Sequence, residues 1–290
     1  MIKGSIVALV TPFFNNGKIN YRKLKELIEF HIVNETEGIL LLGTTGEGTT
    51  LSLKEKYNIS KLAIKYVNKR VPVILNVGSN STMDTIKLVK KLERLQPDAF
   101  LIITPYYNKT NEEGLYHHFK TIHDKTKIPI ILYNVPSRTT IDMSIELIKR
   151  ISKLERIIGI KEASRDYEKL NQMPSCQNEK FSWFSGNDDR MVEDIKLGAR
   201  GLIGVCTNSH PKIVKKIIDA ATNQKYEEAV RLYLKIKKYI NVLNKDVNPI
   251  MIKEAMNILK FNVGKYRLPL FETSLENKIK IKNILEDMNS

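Results

Sequence analysis

The stretch IIGIKEASRD (157–166) starts as a buried strand and then breaks its own pattern. Four of its first five residues are apolar or glycine, and Lys161 arrives where the run gives way to polar residues. Lysine is rarely fully buried, so a strand that ends on one asks for a reason. Similar short apolar runs recur along the chain: SIVALV (5–10), GILLLG (38–43), PVILNV (72–77), AFLIIT (99–104), PIILYN (129–134), FSWFSG (181–186) and GLIGV (201–205). Between them lie stretches of helical period. Leu24, Leu27, Ile28 and His31 fall at i, i+3, i+4 and i+7, as do Val214, Ile217, Ile218 and Ala221, which places apolar groups on one helix face. Nearly continuous apolar strands alternating with helices predict a parallel sheet covered by helices.

The count selects the architecture. Eight strand–helix units occupy about 225 residues, which matches a (β/α)8 TIM barrel of about 250 residues. A doubly wound open sheet would place a glycine-rich dinucleotide turn after the first strand. The sequence there is TPFFNNGK, with no GxGxxG. Beyond residue 225 the strand runs stop. Ala229, Leu232, Tyr233 and Ile236 form one helical stripe and Ile252, Ala255, Met256 and Leu259 another, with Pro249 near the start of the second helix. A third helix is expected over Thr273–Met288. The predicted organisation is a catalytic barrel over 1–225 and a C-terminal helical domain over 226–290.

Composition narrows the function. The 290 residues are 42% hydrophobic and 27% charged, an ordinary globular balance. No run reaches the roughly 18–20 apolar residues of a membrane span. The N-terminus runs straight into GSIVALV, so no targeting peptide is expected. Cys176 and Cys206 make no disulfide framework, and a reducing cytoplasm fits them. The net charge of +15 is spread over nearly every segment, and no helix-turn-helix, zinc or RNP pattern accompanies it. Nucleic acid is therefore not the expected partner.

In such a barrel the chemistry sits at the C-terminal ends of the strands. That rule delivers Thr44, Thr45 and Glu47 after strand 2, Tyr106 and Tyr107 after strand 4, and Tyr133 and Arg138 around the end of strand 5. It delivers Lys161 and Glu162 at strand 6, Gly186, Asn187 and Asp188 after strand 7, and Ile203 on strand 8. No histidine belongs to the set, no metal-ligand spacing is present, and no P-loop occurs. One lysine in the mouth suggests amine nucleophilic catalysis on a ketone through a Schiff base. Desolvation must then lower its pKa, and bringing it from about 10.4 to about 7.5 costs roughly 4 kcal/mol. Tyr133 is placed to shuttle protons, and Arg138 to pair with a carboxylate. Read singly, the residues keep blander meanings: Lys161 snorkelling to solvent or pairing with Glu162, Tyr133 filling core, Arg138 on a surface loop, GTTGEGTT capping a helix.

Taken together, GTTGE (43–47), TPYYNK (104–109), YNVPSRT (133–139), GIKEAS (159–164) and SGND (185–188) are far more specific. In this order and spacing the chain resembles the dihydrodipicolinate synthase (4-hydroxy-tetrahydrodipicolinate synthase) family of pyruvate-dependent class I aldolases, over essentially its whole length. The resemblance implies condensation of pyruvate with L-aspartate 4-semialdehyde on the way to meso-diaminopimelate and lysine. It implies no cofactor, pyruvate being a covalently bound substrate, and a homotetramer built as a dimer of dimers. Lys161 matches the Schiff-base lysine and Tyr133 the proton donor and acceptor. Thr44 and Tyr107 match the residues that complete a proton relay, the equivalent of Tyr107 entering from a neighbouring subunit. Thr45 and Ile203 match pyruvate contacts, Arg138 the aspartate-semialdehyde carboxylate anchor, and Gly186 and Asn187 border the pocket. N-acetylneuraminate lyases and 2-keto-3-deoxy sugar acid aldolases share the GTTGE-like and lysine motifs; Arg138 in YNVPSRT separates this chain from the sialic acid lyases. Thr140 stands where the family commonly has glycine. Asn80, Asp84 and Tyr106 match or nearly match an L-lysine effector pocket, but Leu53 and Lys56 replace the histidines often found in lysine-sensitive members. Leu53 cannot hydrogen-bond the effector and Lys56 repels its ammonium, so weak or absent feedback is expected.

Overall fold

A computed structural model describes residues 2–289. Eight parallel strands close into a barrel in chain order: β1 (Gly4–Ala8), β2 (Gly38–Leu41), β3 (Val73–Asn76), β4 (Ala99–Ile103), β5 (Ile130–Asn134), β6 (Ile157–Glu162), β7 (Ser182–Ser185) and β8 (Gly201–Gly204). Each overlaps one of the apolar runs read from the sequence. Helices α1 (Tyr21–Val33), α2 (Leu53–Val67), α3 (Thr82–Glu93) and α4 (Glu112–His123) follow the first four strands. After β5 come α5 (Pro136–Thr139) and α6 (Ile145–Ile151), then α7 (Tyr167–Gln172), α8 (Met191–Lys196) and α9 (Pro211–Thr222). Three more helices follow: α10 (Tyr226–Leu243), α11 (Ile250–Ile258) and α12 (Leu275–Asn289). The expected stripes are the buried faces of α1 and α9, while Leu232 and Leu259 of the later stripes are only half-buried.

The pleat divides the apolar residues into two cores. Alternate strand residues point inward, and Ile6, Leu40, Ile74, Leu101, Ile131 and Phe184 fill the barrel. Their neighbours Val7, Ile39, Leu75, Ile102, Leu132 and Ile160 pack outward against the helices. This double burial explains why the strands read as continuous apolar runs. Two boundaries differ from the sequence reading. Strand β2 stops at Leu41 because Leu42 takes a left-handed φ of 62° and turns the chain into the GTTGE loop. A side chain at Gly48 would place Cβ 1.9 Å from the Leu42 carbonyl oxygen, so only glycine fits this turn. The last helix begins at Leu275, two residues after Thr273.

Helix α10 packs on α8, α9 and α12, and α12 packs on α11. Helix α2 is fixed by a capping box, with Ser52 Oγ accepting from Glu55 N and Glu55 Oε2 from Ser52 N at 2.8 Å. Ile131 is wholly buried on the inner face of β5, two residues before Tyr133. Ile131→Ala is expected to lower the unfolding free energy by about 2–5 kcal/mol, read as a lower urea midpoint at unchanged slope.

Candidate active site

The strand alternation answers the question posed by Lys161. On β5 and β6, Ile131 pairs with Gly159 and Tyr133 with Lys161, so Lys161 points into the barrel beside Tyr133. Its far neighbour on β7 is Phe184. Lys161 is 5% exposed, and Nζ lies 4.7 Å from the Tyr133 ring centroid. Glu162, the next residue, points the other way and is fully buried. It accepts from Asn134 Nδ2 at 2.8 Å and Ser164 N at 2.7 Å and pairs with Lys169 Nζ at 3.1 Å. Neither bland reading of Lys161 therefore holds: it does not snorkel to solvent, and Glu162 belongs to Lys169.

Burial sets the electrostatics. Desolvation lowers the Lys161 ammonium to about 8, with the negative charge of Asp188 working against the shift and Arg138 with it. Burial also raises the Tyr133 phenol, offset in part by the positive charge of Arg138 and a hydrogen bond with Thr44. Burial pushes the Asp188 carboxyl up, while backbone bonds from Cys206 N at 2.7 Å and Val205 N at 2.9 Å favour the anion. Gly186 gives the lysine its room: a Cβ there would lie 3.1 Å from Lys161 Cε and 2.8 Å from Ala163 Cβ.

These groups open into a cavity of about 430 Å³ at the C-terminal ends of the strands, lined by Thr44, Thr45, Tyr133, Arg138, Lys161 and the Gly186–Asn187 turn. Arg138 sits in the single turn α5 with its guanidinium exposed, and Nη2 donates to the Asn248 carbonyl at 3.2 Å. Thr140 caps that turn at a left-handed φ of 57°, a conformation that suits glycine better than a β-branched residue. Asn187 Nδ2 donates to the Ser164 carbonyl at 3.1 Å and so ties the loops after β6 and β7 together.

Other expected residues lie elsewhere. Ile203 is buried within the barrel, and Val205 reaches the cavity instead. Tyr107 lies outside the cavity, 91% exposed at a left-handed φ of 72°. Tyr106 lines an adjoining space of about 250 Å³ that shares Thr44, Arg138 and Asn248 with the first. Leu53, Lys56, Asn80 and Asp84 lie outside both spaces. Leu53 opens α2 half-exposed, Lys56 is partly covered on the same helix, the Asn80 carbonyl accepts from Asn108 Nδ2 at 2.9 Å, and Asp84 pairs with Lys87 at 2.9 Å. Among the described residues no group of three or more His, Cys, Asp or Glu is placed to hold a metal ion.

Three residues to which the sequence reading gave no role join the site. Asn248 donates from Nδ2 to Thr45 Oγ1 at 3.0 Å as well as accepting from Arg138. Asp188 supplies the negative charge nearest in effect to Lys161. Lys253 reaches beneath the Thr44–Thr45 loop to Glu47 at 2.7 Å. Asn248 lies more than 200 positions from Thr45 and Lys253 more than 200 from Glu47, and no local pattern announces them. Asp188 was visible as a strand-end carboxylate beside SGN, the one signal available.

Comparison with known proteins agrees with this geometry. Residues 1–288 match the Dihydrodipicolinate synthetase family. The chain is 42% identical to a 4-hydroxy-tetrahydrodipicolinate synthase of Clostridium novyi, over all of this chain and 97% of that one. It is 43% identical to one of Clostridium perfringens strain 13, over 99% and 98%. Its fold superposes with a TM-score of 0.97 on the pyruvate-complexed dihydrodipicolinate synthase of Acinetobacter baumannii, 38% identical, covering 100% and 99% of the two chains. For the dihydrodipicolinate synthase of Aquifex aeolicus the TM-score is 0.96 at 37% identity, over 99% and 98%. The chain belongs to the dihydrodipicolinate synthetase family.

Proposed function

We propose that the chain condenses pyruvate with L-aspartate 4-semialdehyde, the activity of a 4-hydroxy-tetrahydrodipicolinate synthase, using Lys161 as the Schiff-base lysine. The observation that carries this reading is a buried, unpaired Lys161 lowered to about 8 beside Tyr133 and across the cavity from Arg138. The neutral amine adds to the keto carbon of pyruvate, and water leaves as the iminium forms. The iminium acidifies the pyruvate methyl group. Loss of a proton gives an enamine whose carbon attacks the aldehyde. The substrate's own amine then displaces Lys161 from the imine carbon and closes the ring. Pyruvate supplies the electron sink itself, so the chemistry calls for no further cofactor.

Tyr133 and Thr44 carry protons in this scheme, and their hydrogen bond is the first link of the relay. Thr45 holds pyruvate, Gly186 and Asn187 border it, and Arg138 takes the carboxylate of the semialdehyde. Tyr107 completes the relay from a neighbouring subunit; its 91% exposure in the single chain supports a role at an interface. We infer a homotetramer, a dimer of dimers, working in the cytoplasm in diaminopimelate and lysine synthesis.

Borohydride reduction with pyruvate should leave its adduct on the peptide containing Lys161, and turnover should occur with L-aspartate 4-semialdehyde. Turnover only with N-acetylmannosamine or glyceraldehyde would contradict the assignment. The trapping rate should climb about tenfold per pH unit up to about 8 and level above it, because only the neutral amine attacks. Asp188→Asn removes a charge that favours the ammonium, so the break should move to lower pH; a break at the same pH contradicts the electrostatic account. L-Lysine at low millimolar concentration should leave more than half of the activity, as initial rates will show.

A further inference from the structure

The loop that presents Thr44 and Thr45 is fastened by a charge pair whose cation comes from outside the barrel. Glu47 and Lys253 both have side-chain exposures of 0%. Lys253 Nζ donates to Glu47 Oε1 at 2.7 Å, to the Thr11 carbonyl at 3.1 Å and to the Lys265 carbonyl at 2.6 Å. All three ammonium donors are used. Glu47 Oε2 accepts from Arg267 N at 2.9 Å, and the Arg267 guanidinium donates to the Thr50 carbonyl at 3.0 Å. Inside the loop, Glu47 N donates to the Thr44 carbonyl at 3.0 Å and Thr11 Oγ1 to the Gly46 carbonyl at 2.6 Å. Glu47 itself sits at a left-handed φ of 53°. Both ends of its side chain are therefore tied to the chain after residue 250, and its backbone is tied to Thr44.

A buried ion pair gives little stability that apolar packing would not give equally well. What it adds is direction: two charged hydrogen bonds fix where Glu47, and with it the turn at Thr44 and Thr45, must lie. We propose that Lys253, acting through Glu47, is a positioning residue for Thr44 and Thr45, so that the C-terminal helices are a working part of the active site. The proposal rests on the catalytic reading above.

Two variants test it, Lys253→Met and the double variant Glu47→Leu/Lys253→Met. The second leaves no stranded charge and so guards against loss of the fold. In each, borohydride-trapped pyruvate on Lys161 counts competent sites, and turnover with both substrates is divided by that count. Displaced threonines should slow trapping but leave its endpoint at saturating pyruvate intact, and lower kcat per trapped site by about ten- to a hundredfold. A pair that only supports the fold lowers trapped sites and activity in proportion. Turnover per trapped site within about threefold of the unaltered chain overturns the proposal, as does loss of trapped sites in both variants. Failure of the unaltered chain to trap pyruvate overturns the catalytic reading instead.

Discussion

An inward-facing ammonium at the mouth of the barrel is the constraint around which the site is arranged. The pleat puts Lys161 on the same face as Ile131, Tyr133 and Phe184, inside a core that is otherwise apolar. Moving its pKa from 10.5 to about 8 costs about 3 kcal/mol, which the burial of the surrounding barrel supports. Asp188 tempers the shift and Gly186 leaves space for the lysine's methylenes. Tyr133, on the neighbouring strand, and Thr44, in the loop after β2, line the same cavity as Lys161.

Three lysines are buried among the described residues, and their partners set them apart. Lys169 pairs with Glu162 and Asp142, and Lys253 pairs with Glu47. Among the described residues no carboxylate lies within ion-pair distance of Lys161. A buried lysine held by a carboxylate has its charge offset and serves architecture, whereas one facing only a more distant carboxylate is left to the lowering effect of burial. The same distinction gives the two carboxylates of the key motifs, Glu47 and Glu162, structural work to do: each pairs with a buried lysine other than Lys161.

Much of the fold was legible because burial on both faces writes a strand as an unbroken apolar run, and eight such runs alternate with helical stripes. The end of β2 was not, since the left-handed turn at Leu42 is imposed by tertiary packing around Gly48 rather than by a turn-forming residue. In the site, the strand-end rule for the expected barrel pointed to Lys161, Tyr133, Thr44, Thr45 and Arg138, all of which line the cavity. It could not find Asn248 or Lys253, because Thr45 and Glu47, over 200 positions away, meet them only when the C-terminal helices dock. Nor could the sequence tell that Glu162 turns from Lys161 to Lys169, because both pairings are adjacent along the strand or one helix away.

The central claim is that Lys161 is a neutral amine for an appreciable fraction of the time near neutral pH. Titration of the chain with 13C at the lysine ε-carbons, the Lys161 resonance assigned by its loss in Lys161→Arg, measures this directly. The account predicts one resonance titrating near pH 8, about two units below the bulk of the lysines. A Lys161 resonance titrating with the others, near pH 10.4, would contradict it.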